Sequence, residues 1–235
     1  MAGRPTLGPG FSTTAQRDAK AQKILAVLAK AGFPLTGEHR VLDLGTGSGE
    51  IARNLAQTAK LIACDVIDQR QSKDGPPFVL GNQSLPFADL SFDVVISNHV
   101  IEHTPDPCEH LREIYRILKP SGIVYLATPN RLWPREFHTR LMWLHYLPAA
   151  LFRKISARTQ RGDELLLLQT TRSLKRHCAG KWTIDYRHHL LLRDSEHYAL
   201  SLPDWARTLV PLMPNWVLGA TRALQPTLIC LLRPR

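Results

Sequence analysis

Three glycines at alternate positions, Gly45, Gly47 and Gly49, close the stretch Val41-Leu-Asp-Leu-Gly-Thr-Gly-Ser-Gly-Glu50, and Ile51-Ala-Arg-Asn-Leu55 then begins a helical pattern. Glycines at a strand-to-helix turn permit left-handed backbone and a close approach to a ligand, and the turn presents free N–H groups. The same arrangement also serves as a plain connector, so the surrounding residues must decide its use. Asp65 lies twenty positions beyond Gly45, at the end of the next β-rich run. A carboxylate there accepts both hydrogen bonds of a ribose diol. That spacing suits a dinucleotide as well as S-adenosylmethionine. A dinucleotide fingerprint puts its third glycine where this chain has Glu50, so the Gly-x-Gly-x-Gly form favours the methyl donor.

Transfer of a methyl group from an activated sulfonium is an in-line displacement. Alignment of the two reactants supplies much of its acceleration, with orientation effects of roughly 7–11 kcal/mol. A general base is needed only where the acceptor must lose a proton early. His103, following Glu102, and His138, in Arg135-Glu-Phe-His-Thr139, are the candidates for that role, because an imidazole titrates near neutral pH. Each also has a plainer reading: Glu102-His103 as a brace for the following turn, His138 as the surface of a lid. His99 reads as structural.

The elements that must position these residues alternate along the chain. Residues 14–31 have helical spacing and stop at Gly32 and Pro34. Beyond them, β-rich runs at Arg40–Leu44, Leu61–Asp65, Phe78–Leu80, Phe92–Ser97 and Ile123–Thr128 are interleaved with helical stretches at Ile51–Thr58 and Cys108–Leu118. The turn Leu118-Lys-Pro-Ser-Gly122 feeds the last of these strands. Trp182–Arg187 and Thr227–Leu232 read as further strands, the second being the final one. Such alternation predicts an α/β fold with a mainly parallel sheet and helices on both faces.

The length of 235 residues suits one elaborated domain, with 14–130 as its cofactor-binding core, 131–225 as acceptor-site and lid elements, and 227–232 as its final strand. The four cysteines are scattered, without zinc spacing, and are expected to be reduced; no metal is expected. The absence of a secretory h-region, and of any run of about 18 apolar residues, makes a cytoplasmic location the default. The net charge of +10 is uneven. Residues 1–130 hold 13 Lys/Arg against 13 Asp/Glu, and residues 131–235 hold 17 against 7. A basic field of this kind steers anionic substrates, nucleic acid or an anionic membrane surface, or is simply a solvated face.

Residues 141–155 are rich in bulky apolar side chains and are bordered by Arg135, Arg140, Arg153, Lys154 and Arg158. Leu151, Phe152 and Ile155 share one helical face, which Arg153 and Lys154 do not. A basic amphipathic lid of this kind closes over a lipidic substrate or meets a membrane interface. Packing over the sheet or a dimer contact is the plainer alternative. Residues 205–218, broken by Pro211 and Pro214, pose the same question.

Val41–Glu50, the stretch from Leu85 to His103 (Leu-Pro-Phe-Ala-Asp-Leu-Ser-Phe-Asp-Val-Val-Ile-Ser-Asn-His-Val-Ile-Glu-His) and Leu111–Gly122 occur in this order, and together they resemble class I S-adenosylmethionine-dependent methyltransferases. The nearest branch is the type-11 group, which includes quinone-biosynthesis enzymes, and the resemblance spans residues 36–130. It implies a Rossmann-like, doubly wound, mainly parallel seven-stranded sheet with an inserted basic and apolar lid. It also implies that Gly45, Gly47 and Gly49 pass under the methionine and ribose of the cofactor, with Asp43 near the amino group and Asp65 on the ribose hydroxyls. Asn82 would stand near the adenine amino group, and Asn98 would line the floor under the sulfonium. Two departures stand out: only fifteen residues separate Asp65 from Gly81, so the helix expected there is reduced to a turn or loop, and the segment from Asn82 to Leu85 is one residue short. The function expected is methylation of a small or lipid-linked acceptor at oxygen or carbon, by a cytoplasmic protein that can be peripheral to a membrane. The competing readings are a nucleic-acid (RNA) methyltransferase and a non-catalytic cofactor-binding protein of the same fold. Oligomeric state is left open.

Overall fold

In alternate positions of each central strand the side chains face opposite sides of a sheet, and that parity is what the core is built on. The computed structural model describes residues 14–135, 141–156, 166–187, 192–193, 204–221 and 225–235. Within them, seven strands run β1 (Arg40–Leu44), β2 (Lys60–Asp65), β3 (Phe78–Leu80), β4 (Phe92–Asn98), β5 (Leu118–Pro129), β6 (Trp182–Tyr186) and β7 (Thr227–Pro234). They form one sheet in the order β3-β2-β1-β4-β5-β7-β6. The first five are parallel; β7 runs antiparallel to both β5 and β6. This is the expected Rossmann-like α/β sheet, with the antiparallel pair at one edge.

Val41, Val94, Ile96, Ile123 and Tyr125 face a core completed by Ala21, Ile24, Val27 and Leu28 of α1 (Thr14–Lys30) and by Ala52 and Leu55 of α2 (Glu50–Leu55). Leu42, Val95, Val124 and Leu126 face the other core, which is closed by Leu111, Ile114 and Ile117 of α3 (Pro107–Ile117) and Leu174 of α5 (Thr171–His177). Apolar residues on both faces give these strands the near-continuous hydrophobic character of a sheet covered on both sides.

The order of the strands reverses between β1 and β4, since β1 continues to β2 on one side and β4 to β5 on the other. At such a switch point the loops leaving the two strands diverge and leave a crevice at their carboxyl ends. The glycine loop leaves β1 there, and Asn98 ends β4 beside it, with Leu44 paired to Ser97.

Several boundaries differ from those read in the sequence. α2 stops at Leu55, and 56–58 form a turn. The turn at 118–122 is absorbed into β5, which pairs Phe92 with Leu118 and then Val94 with Ile123, the extra residues being taken up as an irregularity. No helix lies between β2 and β3, as the short spacing implied. α3 begins where a capping sequence places it. The Asp106 side chain accepts hydrogen bonds from Cys108 N and Glu109 N, with Pro107 in the first turn. From α3, Arg116 donates to Leu85 O, Phe87 O and Asp89, while Glu113 accepts from Leu85 N. These bonds fix the segment that leads into β4.

Beyond β5 come α4 (Ala149–Ser156), α6 (Asp204–Leu209) and α7 (Asn215–Ala220), the last two separated by a single 3-10 turn at Val210–Leu212. In α4, Phe152 is buried whereas Leu151 is 44% exposed. The apolar face expected for this helix is therefore split, because the neighbouring chain covers only one side of it. Among the described residues no helix is long and apolar enough to cross a membrane, and all four cysteines are unpaired.

Candidate functional site

The glycine loop is held at the ends of β1 and β2 by backbone bonds. Gly45 N and Thr46 N both donate to Cys64 O, at 2.8 and 3.1 Å. Asp65, the next residue, accepts Gly47 N on Oδ2 at 2.8 Å and Val66 N on Oδ1 at 2.7 Å. Each carboxylate oxygen keeps a further lone pair, so Asp65 can order the loop and still accept from a ligand.

The three glycines have positive φ (75°, 54° and 78°) but different surroundings. A Cβ on Gly45 would lie 2.4 Å from Val100 Cγ2, and one on Gly49 would lie 2.9 Å from Arg70 Cγ. Gly47 alone of the three has nothing within 4 Å among the described residues. Gly45 therefore permits contact between the loop and the turn after β4, and Gly49 makes room for Arg70. Arg70 itself is fixed by Asp68, by Pro76 O and by stacking 4.5 Å over the Phe78 ring. Gly45→Ala is expected to cost about 3 kcal/mol, from the clash with a β-branched neighbour and the left-handed backbone together. Thermal melting would show this, with partial recovery in the double variant carrying Val100→Ala.

Asp43 lies under this loop, 3% exposed, and its Oδ2 has no hydrogen-bond partner among the described residues. Burial pushes its carboxyl up to about 6, the neighbouring Thr46 hydroxyl opposes that rise, and the Asp65 charge adds to it. An acceptor left unsatisfied in a buried place fits a ligand that brings a donor. Glu50, the residue that separates this loop from a dinucleotide fingerprint, is paired with Arg17 of α1 at 2.7 Å. That pair ties α1 to the start of α2.

Asn98 is partly exposed at the end of β4. Asn82 follows Gly81, whose N donates to Asp65 O, so it lies beside the end of β2; it is exposed, and its Oδ1 accepts from Gln83 N at 2.8 Å. The sheet thus brings Asp43, Gly45, Gly47, Asp65 and Asn98 to one switch point, with Asn82 at its margin. His103 sits on the exposed side of a 3-10 turn at Ile101–His103. His138 lies outside the described residues.

Sequence reasoning offered Glu102-His103 as a brace for that turn and His99 as structural, but not the partners in the buried polar cluster behind it. Glu102 has a side chain 1% exposed, with Oε1 3.3 Å from His99 Nδ1, and it accepts from Thr128 Oγ1 at 2.9 Å. Ser97 Oγ is 3.0 Å from Nε2 of His110, whose imidazole burial pushes down to about 4, so that it is neutral at neutral pH. His99 takes φ of 61° and donates its N–H to Ala127 O. The only signal for this brace was the Ile-Glu-His run, which offered two polar residues and no way to tell which pointed inward.

The methyltransferase-domain family matches residues 14–179, which include the glycine loop, Asp65, Asn98 and the Glu102 turn. The chain belongs to that family. Among its relatives, an uncharacterized methyltransferase of Mycobacterium sp. strain JLS is 35% identical over 122 residues, 48% of each chain. A demethylmenaquinone methyltransferase of Chlorobaculum tepidum is 30% identical over 132 residues, 52% of this chain and 54% of the relative. The methyltransferase chain thus spans about half the length of the curated relatives it matches. A solved SAM-dependent methyltransferase from Archaeoglobus fulgidus shares the fold, with a TM-score of 0.53, 16% identity and coverage of 92% of this chain and 94% of that one. S-adenosylmethionine is the cofactor of this class I methyltransferase family, and the buried Asp43 carboxylate and the open space at Gly47 fit it.

Proposed function

We propose that the chain transfers a methyl group from S-adenosylmethionine to a small or lipid-linked acceptor, at oxygen or carbon, as a single domain in which residues 131–225 build the acceptor site. The observation that carries this reading is Asp43, a buried carboxylate at the start of the glycine loop, beside Thr46 and near Asp65, whose Oδ2 has no hydrogen bond of ordinary geometry among the described residues. In this reading Asp43 holds the ammonium of the methyl donor, Asp65 holds the ribose diol, Gly47 leaves room for the backbone of the loop to approach, and Asn98 forms the floor beneath the sulfonium. Asn82 lies near the adenine. The cofactor supplies a methyl group already activated on sulfur. The protein's own contribution is to orient it, and Glu102 supports that by bracing the turn that faces the acceptor. His103 and His138 would accept a proton where the acceptor must lose one.

The lipid-linked class draws support from the demethylmenaquinone methyltransferases among the relatives and from the surface after β5. There Leu141, Met142, Trp143, Tyr146 and Leu151 are exposed beside Arg153 and Lys154. Apolar and aromatic groups next to cations suit an anionic bilayer surface, so a peripheral location at a cytoplasmic membrane belongs to the same proposal. The basic second half is the feature that favours the second reading, a nucleic-acid acceptor.

Labelled methyl donor offered to lipid, small-molecule and nucleic-acid fractions separates these. Label is expected in the lipid or small-molecule fraction. Label confined to nucleic acid would replace the acceptor class, and no label in any fraction would leave a cofactor-binding protein without transfer.

A further inference from the structure

A cavity of about 450 Å³ opens beyond the carboxyl end of β5, where Arg131 lines it, and against Pro107 at the start of α3. Leu147 and Phe152 line it from the segment around α4, and residues 166–168, all leucine, from the stretch before α5. Arg131, just after β5, Pro107 of α3 and Ser173 and His177 of α5 complete the walls. Backbone bonds lock these walls together: Arg131 N donates to Gln169 O at 2.8 Å, and Leu167 N donates to Glu102 O at 2.8 Å. Arg131 O accepts from Tyr146 OH at 2.7 Å and lies 3.0 Å from His145 Nε2.

The ionisable groups that line this apolar interior among the described residues are Arg131, His145 and His177, with Gln169 and Ser173 as neutral polar groups and no carboxylate. Burial and the neighbouring Arg176 hold His177 below the ordinary imidazole range, against the nearby Asp106, and the Arg131 guanidinium is a permanent positive charge. A carbonyl can only accept, so His145 Nε2 carries the hydrogen in its contact with Arg131 O. Its Nδ1 is buried and has no partner among the described residues. A cavity of this size, mostly apolar with a few convergent polar groups, has the form of a ligand site.

We infer that this cavity binds an amphipathic anion, with an aliphatic chain against Phe152 and the leucines and a carboxylate or phosphate at Arg131. The inference deepens the acceptor reading and rests on it only for the claim that the bound anion is the methyl acceptor. It narrows the lipid-linked class to molecules carrying a negative head group.

Ten-carbon probes test it by titration calorimetry on the full chain, with decanoate and decyl phosphate as the two sources of negative charge and decyltrimethylammonium and decanol as controls. At least one anion is expected to bind tenfold or more tightly than the ammonium probe, and the stronger of the two identifies the head group. Arg131→Gln keeps its backbone bonds and should lose about tenfold for the anion while leaving decanol unchanged. Leu167→Glu, at a residue that is 45% exposed and so tolerant of substitution, should abolish anion binding without lowering the melting temperature. Leu90→Ser, at a 52% exposed residue before β4 and so at the opposite end of the sheet, should leave affinity unchanged. Equal binding of anion and cation, indifference to Arg131→Gln and Leu167→Glu, or loss in Leu90→Ser would each overturn the inference. S-adenosylmethionine binding, measured on the same preparation, keeps the two readings apart. If the donor binds and the anions do not, the cavity assignment fails alone; if the anions bind and the donor does not, the methyltransferase reading fails and the cavity stands.

Discussion

Asp65→Ala is expected to weaken binding of S-adenosylmethionine at least a hundredfold. The carboxylate would accept two hydrogen bonds from the ribose diol, each charge-assisted and worth roughly 1.5–3 kcal/mol. It also accepts Gly47 N at 2.8 Å, so its removal releases the middle of the glycine loop before any ligand arrives. A loss of about 3–5 kcal/mol follows, and each 1.4 kcal/mol is a factor of about ten in affinity. Asp65→Asn should fall between, because its amide can still accept from Gly47 but offers only one acceptor oxygen in all. Calorimetry decides the matter, with circular dichroism to show that both variants remain folded. An unchanged affinity in Asp65→Ala would remove the whole site from this end of the sheet.

Asp43→Asn should act in opposite directions on stability and on binding. In the folded protein the Asp43 carboxyl titrates at about 6, against 3.8 for the unperturbed group, because burial penalises its charge. Between these values the folded chain holds a proton that the unfolded chain has released, so stability falls as pH rises from about 4 to about 6 and is level above that. The total is about 3 kcal/mol from a shift of roughly two units. The asparagine variant lacks this slope, and denaturant melts at pH 4.5 and 7 should show it more stable than the parent at the higher pH by about 1–3 kcal/mol. Donor binding should change the other way. An ammonium beside Asp43 favours the carboxylate, so affinity in the parent rises from pH 5 to about 6 with release of a proton, then levels. In Asp43→Asn the affinity falls by about ten- to a hundredfold and the proton release disappears. Calorimetry in buffers of different ionisation enthalpy measures both.

Much of this site was legible in the sequence because its parts are local. The glycine loop, the acid twenty residues on and the alternating apolar strands are patterns within short windows, and parallel strands bring their carboxyl ends together wherever those windows fall. What the sequence concealed depends on register between distant segments. Nothing near Gly49 shows that Arg70 will fill the space beside it, and nothing near Gly45 names Val100. Glu102 and His103 are adjacent and similarly polar, yet a 3-10 turn buries the first and exposes the second, a choice made by Thr128 reaching it from β5 and by His99 just after β4. The lid illustrates the same limit. Helical spacing grouped Leu151 with Phe152, but only the segments packed against α4 determine that one is covered and the other faces outward.

The contact between Gly45 and Val100 leaves no slack between the loop after β1 and the turn after β4. The two flanks of the crevice therefore touch. A ligand that pressed residues 99–103 toward Gly45 would press on the glycine loop as well, and if the two flanks hold two reactants, whatever the second does to the affinity of the first, the first does equally to the second.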